Sequence, residues 1–191
     1  MSVKKDLRRM AMEDVLVLGD GDASLVQEST AEDALASLAP QERERVLTIA
    51  ARRLAFQVLF ELDSRRTQDA SEAASILSRA RGITPEQVEA MMVLVSGAYM
   101  SRKVADDAFQ KIAPEWPSHR MAPVDRAILR LAYYEMTATQ THPRIVINEA
   151  VELAKSFSSE KSPAFVNGLL DRVLKGAGLG GKKGTSEDES A

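Results

Sequence analysis

Apolar residues recur at helical spacing through nearly every stretch between residues 42 and 176. Over residues 43–64, Val46, Ile49, Ala50, Leu54, Phe56, Val58, Leu59 and Leu62 form a broad stripe with arginines and glutamates between them. That is the pattern of a helix with one face in a core. Asp69 to Ala80 reads as a shorter helix. Thr84-Pro85-Glu86-Gln87 supplies an N-cap, a proline at the first helical position and a glutamine at N3, so a long helix opens there and runs to about Ile112. Pro114 and Pro117 bracket Trp116 and break the chain. Pro123 opens a helix carrying Val124, Ile128, Leu129, Leu131, Ala132 and Met136, and Pro143 precedes one carrying Val146, Ala150, Leu153, Ala154 and Phe157. No segment shows sustained alternation bounded by turn signals and none repeats with a solenoid period, so the predicted fold class is all-α.

The stretch Lys161-Ser162-Pro163-Ala164-Phe165-Val166-Asn167-Gly168-Leu169-Leu170 sets two signals against each other. Asn-Gly between apolar runs favours a hairpin, because both residues tolerate positive φ. Ser162 followed by Pro163 is instead a helix start, and Phe165, Leu169, Leu170, Val173 and Leu174 keep helical spacing up to Gly176. The flanks favour the helix. Gly168 then lies inside it, at a cost of about 1 kcal/mol relative to alanine. Close approach of a neighbouring helix or ligand is the usual compensation.

The ends read differently. Residues 1–41 begin with Lys4, Lys5, Arg8 and Arg9 and then carry seven acidic and no basic residues from Glu13 to Asp33, which fits a poorly ordered extension whose acidic run competes for basic surfaces. A short helix from Ser29, with Glu32 closing a capping box, is compatible with it. Residues 177–191 are glycine-rich and then charged, a disordered tail, which leaves 42–176 as the folded domain. A net charge of −3 excludes a uniformly basic nucleic-acid coat but not a local patch. The absence of cysteine removes disulfides, thiolate metal sites and cysteine nucleophiles together. No apolar run reaches the roughly 18 residues of a membrane span, so a cytoplasmic protein is expected.

Catalytic chemistry lacks residues to carry it. His119 and His142 sit beside prolines or in presumed loops without a carboxylate cluster, which is a weak metal or acid–base case. The Gly-Asp-Gly-Asp of 19–22 lacks the strand and helix of a dinucleotide fingerprint, and no Walker-type loop occurs. Met91, Met92, Met100, Met121 and Met136 are expected to fill gaps in a core.

Three stretches carry a resemblance: APVDRAILRLAYYEM (122–136), INEAVELAKSF (147–157) and SPAFVNGLLDRVL (162–174), with AARRLAFQVLFELD (50–63) as a looser fourth. In this order, over roughly residues 46–175, the chain resembles the NusB family of transcription antitermination factors. The resemblance implies an all-helical fold of two packed subdomains, no catalytic activity and no cofactor. It further implies binding of boxA RNA together with the ribosomal protein NusE, in an RNA polymerase antitermination complex on ribosomal RNA operons. Some members self-associate, so a homodimer is among the implied states. It also implies that the Asn167-Gly168 segment is helical, with the glycine at a point of close packing.

Arg52 and Arg53 align with the family's arginine-rich helix start, where guanidinium groups neutralise RNA phosphates. Thr48, Ile49 and Ala50 stand where further arginines are usual, and Arg43 and Arg45 alternate with Glu42 and Glu44. This keeps open a NusB-like protein-interaction module with weakened RNA binding. Phe157 and Phe165 flank the loop that joins the last two helices, a region of the family's RNA surface. There they either stack on bases or fill the core, with Lys155 and Lys161 supplying charge beside them. Asp125 is either a first-turn carboxylate favoured by the helix dipole or, from the resemblance, a contact to NusE. Asn148-Glu149 and Asn167-Gly168 are fingerprint residues with a structural role expected. A fragment of an RNA cytosine methyltransferase, whose family carries a NusB-like domain, is the enzymatic rival; residues after 175 offer neither a cofactor loop nor a catalytic cysteine.

Overall fold

The computed structural model describes residues 36–65 and 85–176. The helix expected over Asp69–Ala80, the helix from Ser29 and the C-terminal tail lie outside them. Among the described residues the regular elements are helices: α1 (Pro40–Arg65), α2 (Pro85–Met100), α3 (Arg102–Ile112), a 3-10 turn (Ser118–Arg120), α4 (Pro123–Ala138), α5 (Pro143–Phe157) and α6 (Ser162–Gly176). The chain divides into two compact units, Met1–Met100 and Ser101–Ala191.

In the first unit α1 packs along α2. Every member of the α1 stripe is buried, and Met91, Val95 and Ala98 are buried on α2. Burying such a side chain contributes about 1.5–3 kcal/mol, which is how a helix this rich in charge is held. The segment expected as one helix to Ile112 is two, because the chain turns at Ser101 before α3 begins. That turn coincides with the boundary between units. Met100, just before it, is exposed; Met91, Met121 and Met136 are core residues as expected, and Met92 is half-buried.

The second unit packs α5 against α4 and α6, and α3 against α4 and α6. Pro123 and Pro143 occupy the first positions of α4 and α5, where a missing N–H costs nothing. The Nδ1 of His142 accepts the Arg144 amide at 3.3 Å, which makes this histidine a helix cap. Ile128, Leu129, Leu131, Met136, Leu170 and Phe109 are fully buried between the helices. The ring of Phe109 meets Tyr133 edge-on, with centroids 5.8 Å apart.

α3 is also tied to α4 by a fork. Arg130 donates from Nε to Asp106 Oδ1 (2.9 Å) and from Nη2 to Oδ2 (2.7 Å). The two side chains are only 12% and 21% exposed, so water screens the pair little. Asp106→Ala should therefore lower unfolding free energy by about 1–3 kcal/mol in urea melts, since it leaves a guanidinium short of its partner. A change within 0.3 kcal/mol would show that the fork contributes nothing to the fold.

Candidate nucleic-acid interface

The hydrogen bonding around Ser162 favours the helical reading of the Asn-Gly segment. The Phe165 amide donates to the Lys161 carbonyl, and α6 runs unbroken through Asn167 and Gly168. The expected close packing at the glycine is not found. Gly168 is exposed, and a Cβ built on it would have nothing within 4 Å. Asn148 and Asn167 face solvent too, so neither closes a helix junction; the buried member of that fingerprint is Glu149.

The α5–α6 connection is built on a buried carboxylate. Asp125, in the first turn of α4, is 6% exposed. Its Oδ1 lies 2.7 Å from the Ser158 hydroxyl and its Oδ2 lies 2.9 Å from that of Ser162. Ser162 also lies within hydrogen-bonding distance of the Ser158 and Ser159 hydroxyls, at 2.9 and 2.8 Å. Each hydroxyl carries one proton, so the consistent assignment has Ser158 and Ser162 donating to Asp125 and Ser159 donating to the Ser162 oxygen. A carboxylate so placed serves the fold. Both of its oxygens are occupied inside, and the residue has almost no surface to offer.

This latch fixes the loop between Phe157 and Lys161. Phe157 ends α5 half-buried, and Lys161 is exposed at the start of α6. Lys155 is exposed but paired with Glu152 at 2.8 Å. Phe165, one turn after Lys161, is half-buried rather than core, and its ring lies against Trp116 at 5.8 Å and 57°. Trp116 was legible only as a break residue; a lone large aromatic held in a loop between two prolines was the available signal. The structure thus gathers Lys161 and Phe165 on one face, with Phe157 and Lys155 at the end of α5.

Arg52 and Arg53 belong to the first unit. Arg52 is 6% exposed; Arg53 is half-buried with its Nε and Nη1 atoms inside, and both are engaged within the fold. A guanidinium as buried as that of Arg52 would have to leave its site to meet a hydrated phosphate. Arg43 and Arg45 are exposed on α1, and Arg43 Nη2 donates to the Ala36 carbonyl at 3.1 Å.

His119 and His142 are exposed and far apart in the chain, and no group of three metal-ligating side chains forms among the described residues. No helix among those residues is long and apolar enough to cross a membrane. Fold and surface together define an all-helical protein whose second unit offers half-exposed rings and cations at one helix junction. Residues 49–175 match the model of the NusB family, and the chain belongs to that family, one of transcription antitermination RNA-binding factors rather than enzymes.

Among its relatives is the transcription antitermination protein NusB of Herpetosiphon aurantiacus, 42% identical over 127 residues, which span 64% of this chain and 86% of the relative. That of Streptomyces griseus is 45% identical over 125 residues, 64% of this chain and 87% of the relative. Solved structures agree. T. maritima NusB has a TM-score of 0.61 at 29% identity, covering 66% of this chain and 89% of that one. A NusB from a complex of the antitermination factors NusB and NusE with dsRNA has a TM-score of 0.62 at 26% identity, covering 68% and 97%.

Proposed function

We propose that this protein works in the cytoplasm as an antitermination factor that holds boxA-type single-stranded RNA together with NusE, and supports transcription of ribosomal RNA operons by RNA polymerase. The observation that supports the reading is the latched α5–α6 junction, with Lys161 exposed just before α6 and the half-buried Phe165 one turn into it. Phe157, Lys155 and Arg53 extend the RNA-binding set. Single strands are held by such pairs of ring and cation, each stacked base contributing about 1–3 kcal/mol. Membership of a family with a NusB–NusE–dsRNA complex among its solved structures supports NusE as the second component. Two linked RNA surfaces then raise the effective affinity beyond either alone.

Burial of Arg52 favours a second reading, a module that keeps the protein interface and binds RNA weakly through α1. Titration of labelled boxA RNA with and without NusE separates them. The first reading expects measurable binding alone and tighter binding with NusE; no binding under either condition overturns it. In the same assay Arg53→Ala should weaken binding and reduce the salt slope by about 1, as one phosphate contact is lost, whereas Arg52→Ala should mainly lower stability. Equal RNA effects from both variants would count against the buried placement of Arg52.

A further inference from the structure

We infer that Trp116, Phe165 and Gly168 form a platform on which one unpaired RNA base stacks, with Lys161 and Arg172 holding the phosphates on either side. The inference rests on the RNA-binding reading above and adds to it a place, a second ring and a bare floor.

Three observations converge. Trp116 is 49% exposed, although an indole this large ordinarily gains by burial. It is not loose, because its amide donates to the Ala113 carbonyl at 2.9 Å and prolines stand on both sides of the Glu115-Trp116 pair. Its ring sits against Phe165 and leaves apolar surface uncovered. A ring held in place before binding loses little entropy when a base arrives.

Gly168 supplies the second observation. Inside a helix a glycine is unfavourable, and among the described residues no neighbour requires it, since none comes within 4 Å of a Cβ built there. It lies three residues after Phe165 and four before Arg172, so the three share a face of α6. The bare backbone between ring and guanidinium is where a flat group can lie directly on the helix.

Charge is the third. Lys161 precedes the first residue of α6, four residues before Phe165, and Arg172 lies two turns after Phe165 on the helix. Arg172 is exposed, and among the described residues its Nη1 makes a long 3.5 Å contact to the Ile112 carbonyl, an interaction easily exchanged for a phosphate. Asp171 beside it is paired with Lys175. An apolar partner helix would find cations at both ends of the patch; a nucleotide finds a ring face bounded by cations. Glu115 and Glu160, next in sequence to Trp116 and Lys161, weaken the local field, so the rings carry more of the binding than the charges do.

Trp116 is the single tryptophan of the chain, which makes the test direct. In the full-length protein, titration with a labelled boxA-type single-stranded RNA should quench tryptophan emission in step with the rise in anisotropy. Trp116→Ala should weaken binding about tenfold at every salt concentration, the loss of one stacked base. Arg172→Gln should reduce the salt slope by about 1. Gly168→Ala should raise the melting temperature, because the added methyl has room, and yet weaken RNA binding. RNA binding with unchanged emission and wild-type affinity in Trp116→Ala and Gly168→Ala overturns the platform and leaves the RNA reading standing. Absence of any anisotropy change overturns both. Quenching by NusE alone, with NusE rather than RNA affinity lost in Trp116→Ala, assigns the face to a protein partner and overturns the inference.

Discussion

Phe109→Ala should cost the second unit about 3–5 kcal/mol, the largest stability loss expected from a single truncation here. Phe109 is 1% exposed and meets Tyr133 edge-on, so alanine removes both its buried area and a directional ring contact. Its neighbours lie on helices tied by the Arg130–Asp106 fork, which limits collapse into the vacated space. With a urea slope of about 1–3 kcal/mol per molar, the unfolding midpoint should fall by one molar or more. A midpoint shift under 0.3 M would mean that α3 is held by something other than this ring. RNA affinity of the folded variant should be unchanged, because Phe109 has no surface to offer a ligand.

The α1 stripe and the proline-led starts of α4 and α5 were legible because both follow from local rules: periodicity chooses the buried face, and a proline is tolerated where no N–H is needed. The turn at Ser101 was not, since the apolar positions on either side continue one helical spacing and no glycine or proline marks the break. The same limit applies to the site. Lys161 stands just before α6 and Phe165 one turn later within it, and sequence spacing alone joins them. Trp116 reaches Phe165 across nearly fifty residues, and the serines reach Asp125 across more than thirty; periodicity carries no information about such pairings. Arg52 and Arg53 are adjacent in sequence and so cannot share a helix face, yet burial takes Arg52 nearly whole and two of the nitrogens of Arg53. The glycine was misread for a related reason: its cost inside a helix is visible in sequence, but whether the compensation comes from the fold or from a ligand depends on the empty space beside it.

Asp125→Ala should lower stability by about 2–4 kcal/mol and weaken RNA binding as well, because one buried carboxylate holds both hydroxyls that fix the α5–α6 junction. Hydrogen bonds to a charged acceptor contribute about 1.5–3 kcal/mol each, and their removal leaves the buried Ser162 hydroxyl only the neighbouring serine hydroxyls as partners. Lys161, Phe165 and the end of α5 would then lose their common support. Asp125→Asn keeps one acceptor oxygen and the shape, and should cost about half as much on both counts. Ser162→Ala should cost about 1 kcal/mol alone, and far less when added to Asp125→Ala, since the two residues share one interaction. Urea melts and RNA anisotropy on the four proteins test this together. If stability holds while NusE binding falls, Asp125 contacts the partner directly, and the latch is not its purpose. If stability and RNA affinity fall in parallel through the series and the double variant is non-additive, the carboxylate acts on RNA only through the serines, by fixing where the loop places its ring and its cation.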